Sequence, residues 1–299
     1  MRDHQPHLLI LGARGFLGQH LAHQAASTYQ VFPADLAATG WDGLAIDITS
    51  AASVEEGFQH ASPDVVVLLA AISDIDVCES HPEQAEAINV GGAAHVVQAC
   101  ARTGAKLVFT SSAAVFDGTR HGYREGDPPN PVSVYGSTKA RAESLILQAL
   151  PSAIILRLAL VVGFAQGHGT NAMLNKLVEK LRAGQSVAFA NFEYRNPIDA
   201  GTFVGFILEL LSFPGVGGIF HVGASEAISR FELGRRLAEK MGFSPDLIAA
   251  QTAPLPGRAP RGLDHFLLTE RIRAMCQTPV PGCDEVIERA VYGSPQGNL

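Results

Sequence analysis

The chain has 299 residues, with 22 Lys and Arg against 29 Asp and Glu, so its formal net charge is −7 and 17% of it is charged. A mildly acidic chain with scattered basic residues offers no footprint for a nucleic-acid backbone or an anionic membrane surface. With 47% hydrophobic residues it can bury a large core, which excludes disorder as its main state and fits one large α/β domain or a nucleotide domain with a smaller companion.

No apolar run approaches the roughly 18 residues of a membrane span. The first residues lead directly into a strand-like run without the organisation of a secretory signal, so a cytoplasmic protein is expected. Cys78, Cys100, Cys276 and Cys283 form no Cys-x-x-Cys pair and have no neighbouring His at zinc-ligand spacing, so they read as free buried thiols and no metal site is expected. His20 and His23 read as solvated residues of a helix face.

In chain order, short apolar runs at 8–11, 65–69, 106–110 and 153–158 have the continuous character of strands buried on both faces. Between them, 82–102 and 135–150 read as helices, the first with Pro just inside its start and Thr103-Gly104 at its end. Alternating strand and helix predicts a doubly wound parallel sheet of the Rossmann type. The pattern weakens after Gly163. A glycine link at 167–169, a helix at 171–183 and the segment APLPGRAPRG at 253–262 suggest a smaller C-terminal substrate lobe. The expected division is a dinucleotide-binding domain over 1–162, with 196–212 packing back on it, and a mainly substrate-binding lobe over 163–299.

Gly12-Ala13-Arg14-Gly15-Phe16-Leu17-Gly18 follows the first strand immediately and opens a helix. In that setting Gly12 permits a tight turn, Gly15 lets backbone N–H groups approach a pyrophosphate, and Gly18 lets helix and strand pack closely, with the helix N-terminus favouring negative charge. About 20 residues on, a second strand at 30–33 ends near Asp35, an acid placed to accept from ribose hydroxyls and repel a 2′-phosphate. The cofactor is thus NAD or NADP, with NAD favoured. Arg14 is the opposing signal, since an arginine in the loop can reach a 2′-phosphate.

Tyr135 and Lys139 are four residues apart and share one helix face. A nearby ammonium stabilises phenolate and draws the phenol's pKa toward neutrality, fitting Tyr135 to exchange a proton with a substrate oxygen. Ser112, just beyond the strand at 106–110, can hydrogen-bond the same oxygen. The three stand where parallel sheets bind ligands, beyond the carboxyl ends of their strands. Asp74, Asp76 and Glu79 read as a solvated loop after a strand.

These motifs, with LLAAISDIDVCES, INVGG, TSSAAVFDG, VYGSTKARAE, ILRLALVVG and RNPIDA, resemble the extended short-chain dehydrogenases/reductases over nearly the whole chain. Asp76-Val77-Cys78-Glu79, Val115-Phe116-Asp117-Gly118 and Arg195-Asn196-Pro197 are most similar to the dTDP-4-dehydrorhamnose reductase branch of the NAD-dependent epimerase/dehydratase superfamily. Ser111-Ser112-Ala113-Ala114-Val115 also looks like sugar-nucleotide 4-epimerases.

The resemblance implies Tyr135 as acid/base, Lys139 as its electrostatic partner and ribose contact, and Ser112 as carbonyl anchor. It also implies Asp47 and Ile48 beside the adenine, Ala70 and Ala71 along the dinucleotide, Leu158 by the nicotinamide, and Asn89 positioning Lys139 through water. Asn171, Arg195, Arg258 and Arg261 are its candidate substrate contacts. Ala113-Ala114 stands where dehydratases carry an Asp-Glu pair, which disfavours dehydration. The expected activity is reduction of a keto-sugar, a nucleotide-linked 4-keto-6-deoxy sugar. A 4-epimerase is the alternative, and a non-catalytic NAD(P)-binding regulatory subunit is the reading of another class. The expected partner is this small molecule, with a homodimer left open.

Overall fold

In the computed structural model, which describes residues 5–36, 41–165 and 173–293, the first apolar run forms β1 (His7–Leu11). Its side chains alternate between two hydrophobic layers, Leu9 and Leu11 in one, Leu8 and Ile10 in the other. Helices cover both faces, which is why the run is apolar throughout. The chain continues through α1 (Phe16–Ala25), β2 (Gln30–Asp35), β3 (Leu44–Ala45), α2 (Ala51–Ala61) and β4 (Val65–Leu68).

Next come α3 (Ile75–Ser80) and α4 (Pro82–Glu86), which passes through a π-helical stretch, Ala87–Gly92, into α5 (Ala93–Thr103). The helix expected over 82–102 therefore exists with a π-helical interruption, and it stops at Gly104, whose φ of 77° closes the last turn. β5 (Lys106–Ser112), α6 (Val134–Ala149) and β6 (Ile154–Leu158) follow. Beyond them are β7 (Leu160–Val162), α7 (Met173–Arg182), β8 (Val187–Ala190), β9 (Tyr194–Arg195), β10 (Pro197–Asp199), α8 (Ala200–Ser212) and β11 (Gly218–Val222). The chain then forms β12 (Ile228–Ser229), α9 (Arg230–Lys240), β13 (Ile248–Gln251), β14 (Asp264–His265), α10 (Glu270–Met275) and α11 (Cys283–Tyr292).

The main sheet has seven strands in the order β11-β6-β5-β4-β1-β2-β3, and every neighbouring pair is parallel. α2, α5 and α6 cover one face, and α1 and α8 the other, where Phe203, Phe206 and Leu210 meet Leu8 and Ile10. α7, α9 and α11 share a separate core through Leu177, Leu237 and Val286. The strand order reverses between β1 and β4, so the loops after these two strands depart to opposite faces and leave a crevice at their carboxyl ends.

Three local expectations change. Ser112 is the last residue of β5 and not beyond it. Residues 75–80 are helical, with Asp74 capping α3 by accepting from the N–H groups of Asp76 and Val77, as a short polar residue before a helix can. His20 is buried, and its Nε2 lies 3.0 Å from the Phe164 carbonyl. The glycine link at 167–169 and Asn171 lie outside the described residues. Among those described, no helix is long and apolar enough to cross a membrane. Among the described residues, no cluster of three or more His, Cys, Asp or Glu side chains is placed to hold a metal.

Candidate active site

A cleft of about 550 Å³ opens at the reversal of strand order. Gly12, at φ 94°, turns the chain so tightly that a Cβ would stand 2.7 Å from the Ala70 nitrogen. A Cβ on Gly18 would stand 2.3 Å from the Gly12 carbonyl oxygen, so α1 lies directly on its own loop. Ser50 and Ser133 cap their helices through side-chain oxygens. Gly15 caps α1 with no side chain, which leaves the helix's first N–H groups to an anion. A loop with glycine at positions 12 and 15 beside such a helix end fits a pyrophosphate.

Of the expected cofactor contacts, Gly12, Gly15, Phe16, Leu17, Gly18, Asp35, Asp47, Ile48, Ala70, Ala71, Tyr135, Lys139 and Leu158 line this cleft. Arg14 and Asn89 do not. The Arg14 guanidinium lies 5.9 Å from the Trp41 ring centroid, while its backbone N–H donates to Asp35 Oδ2 at 3.0 Å. Asn89 is buried and its amide is used elsewhere. Its Oδ1 accepts from Ile72 N at 2.9 Å, and its Nδ2 donates to the Ile72 carbonyl at 3.0 Å and to Thr138 Oγ1 at 3.1 Å. It sits in the π-helical stretch and ties the segment after β4 to α6.

Asp35 accepts two loop N–H groups, those of Arg14 and of Leu36 at 2.8 Å, and so presents a fixed negative charge to the cleft. Asp35→Ser is expected to move the ratio of NAD to NADP affinity toward NADP by about 10-fold or more, the worth of one charged hydrogen bond. Parallel binding titrations of the two cofactors measure this, and an unchanged ratio would remove Asp35 from the selection.

α6 begins at Ser133, whose hydroxyl accepts from Gly136 N at 3.1 Å. Gly136 lets this turn press on the end of β5, since a Cβ there would stand 2.1 Å from the Ala114 carbonyl oxygen. The contact brings Tyr135 against Ser112, whose Oγ accepts from Ala114 N at 3.1 Å. Burial pushes the Tyr135 phenol up to about 12, the Ser112 hydroxyl opposes this, and the Cys78 thiol adds to it. The expected lowering of this phenol by Lys139 is not met. The ammonium donates to the Thr110 carbonyl at 2.8 Å, and desolvation of the phenol outweighs other influences.

A second cleft, of about 520 Å³, adjoins the first, and Tyr135 and Leu158 line both. Ser112, Arg195, Arg258 and Arg261 line it, together with Arg230, Asp74, Asp76 and His265, which sequence reasoning did not place here. Arg195 is buried, and burial lowers it to about 10. Its donors go to the carbonyls of Tyr194, Gly262 and Leu263 at 2.7–3.1 Å, so its part is to shape the wall. Glu193, also buried, is within 3.3–3.6 Å of Arg195, Arg230 and Arg258. Arg261 grips Asp76 through two bonds, at 3.0 and 2.7 Å, and its guanidinium holds the Asp76 carboxyl down at about 2. Four arginines against three carboxylates leave the wall positive. Burial lowers His265 to about 3, so it adds no charge. The three acids read from sequence as a loop all hold structure, Glu79 by accepting from Val134 N at 3.1 Å.

The chain resembles known proteins over the same extent. It is 32% identical to a dTDP-4-dehydrorhamnose reductase of Mycobacterium tuberculosis, over 87% of this chain and 84% of that one. It is 27% identical to the methionine adenosyltransferase 2 subunit beta of Xenopus tropicalis, over 85% and 77%. Its fold matches a dTDP-4-dehydrorhamnose reductase of Bacillus anthracis solved in complex with NADP, with a TM-score of 0.87 and 24% identity, covering 97% of this chain and all of that one. The RmlD substrate binding domain model matches residues 6–293, which takes in the glycine loop, the Tyr135 helix and the arginine wall together, and by that match and the mycobacterial identity the chain belongs to this family.

Proposed function

We propose that the protein is an NAD(P)-dependent reductase of a nucleotide-linked 4-keto-6-deoxy sugar. The observation that carries this reading is the junction at Tyr135: one cleft is built for a dinucleotide, the other is arginine-lined, and the phenol belongs to both. The name and sequence identity of the mycobacterial relative support it. The nicotinamide, when bound in the first cleft, supplies hydride to the carbonyl carbon.

The remaining steps fall to the chain's own groups. The Ser112 hydroxyl holds the carbonyl oxygen and Tyr135, protonated at neutral pH, gives it the proton. Lys139, which burial lowers to about 8, steadies the phenolate left behind and holds the cofactor ribose. Arg230, Arg258 and Arg261 supply positive charge for the substrate diphosphate. We assign residues 1–162 with 196–212 mainly to cofactor binding and 163–299 mainly to substrate, although β11 within the latter extends the main sheet. The free cysteines suit a reducing compartment, and we place the protein in the cytoplasm.

The test is incubation of purified protein with NADH or NADPH and a panel of nucleotide-linked 4-keto-6-deoxy sugars, followed by absorbance of the reduced cofactor. Substrate-dependent oxidation is expected. Interconversion of UDP-hexoses without net cofactor change would replace the reductase with an epimerase. Cofactor binding without either reaction would favour a regulatory subunit.

A further inference from the structure

Beneath the site lies a buried ion pair that the proposed chemistry does not use. Glu143 lies one turn beyond Lys139 on α6 and is 3% exposed. It receives the Nε of Arg157 at 2.9 Å and an Nη at 2.6 Å, and the Ser111 hydroxyl donates to the same carboxylate. Arg157, 1% exposed, stands opposite Ser111 across β5 and β6. Desolvation offsets most of the Coulomb gain of such a pair, so stability alone is a poor reason for it.

The arrangement has a regular form. Residues 135, 139 and 143 follow one another at helical spacing along one face of α6, and each meets one of three consecutive residues of β5. Tyr135 meets the Ser112 hydroxyl, Lys139 the Thr110 carbonyl and Glu143 the Ser111 hydroxyl.

We propose that Glu143 is a positioning residue for Lys139, its carboxylate oriented by Arg157 and Ser111 so that a fixed negative charge supports the ammonium that serves Tyr135. This rests on the reductase reading for its consequence in turnover, but the charge coupling itself is independent of that reading. The groups around Lys139 can be named element by element. Glu143 acts on it from α6 and Cys78 from α3, Arg157 on β6 reaches it through Glu143, and β5 offers the Thr110 carbonyl and the Phe109 ring at 4.4 Å, with Tyr135 one turn before it on the same helix face. Burial lowers Lys139, and Glu143 raises it. Loss of Glu143 must therefore deprotonate Lys139 at lower pH.

The protein has five lysines, so the side-chain resonances of lysine labelled with carbon-13 at the ε position can be titrated in the cofactor-free protein, with Lys139 identified by Lys139→Arg. The Lys139 midpoint is expected to fall by about one pH unit in Glu143→Gln, and the alkaline limb of kcat to move with it. Glu143→Gln leaves Arg157 buried without its partner and can fail to fold. Glu143→Gln/Arg157→Met carries no buried charge at that pair and is expected to shift Lys139 downward by less, because the Arg157 cation is removed along with the carboxylate. A folded form of either variant with Lys139 titrating at the wild-type pH would reduce Glu143 to a brace and overturn the proposal. Failure of the reductase reading would leave this titration untouched, since it needs neither substrate nor turnover.

Discussion

Tyr135→Phe is expected to reduce kcat by about 10² to 10⁴-fold, the usual contribution of a positioned general acid. The ring is 9% exposed and packs with Cys78, Ala85 and Ala114, and phenylalanine keeps that packing. Thermal midpoint and NADPH affinity should therefore change little, which separates loss of the proton from loss of the fold. Steady-state kinetics on the substrate found in the panel, with a thermal melt and a cofactor titration, make the comparison. A near-normal rate would end the role of Tyr135 as acid.

Gly18→Ala is expected to remove most cofactor binding. The added Cβ would stand 2.3 Å from the Gly12 carbonyl oxygen and 2.6 Å from Ala13 Cα, both of them backbone. No side-chain rotation relieves this, so the loop itself must move, at about 1–3 kcal/mol for overpacking. A moved loop misaligns the N–H groups meant for the pyrophosphate. Loss of two charge-assisted hydrogen bonds, each worth about 1.5–3 kcal/mol, corresponds to a fall in affinity on the order of 10² to 10⁴-fold. Gly126→Ala, where a Cβ would meet nothing within 4 Å, is the control and should bind as the wild type does. Fluorescence titration of NADPH reads both. Near wild-type affinity in Gly18→Ala would mean that the dinucleotide does not lie on this loop.

The amino-acid sequence by itself determined what depends on neighbours within a few residues. Continuous apolar runs announced strands covered on both faces, because such strands leave few positions for a polar side chain. Glycines between a strand and a helix announced the tight loop that lines the first cleft, because only they permit its turn and its close packing. The four-residue spacing of Tyr135 and Lys139 put both on one helix face. Tertiary structure decided what depends on partners far along the chain. Nothing local marks Arg230 as part of the second cleft, or Glu193 as the acid that gathers three arginines. Asp76 and Arg261 meet across 185 residues, and Arg157 reaches Glu143 from a neighbouring strand. Asn89 was expected along the cofactor, but its partners, Ile72 and Thr138, come from elsewhere in the chain. The charge state of the site was equally hidden. Spacing suggested a phenol lowered by Lys139, whereas burial, which no spacing encodes, raises it to about 12. Propensity and periodicity act along the chain, but desolvation and ion pairing act through space, and only the packed fold brings their participants together.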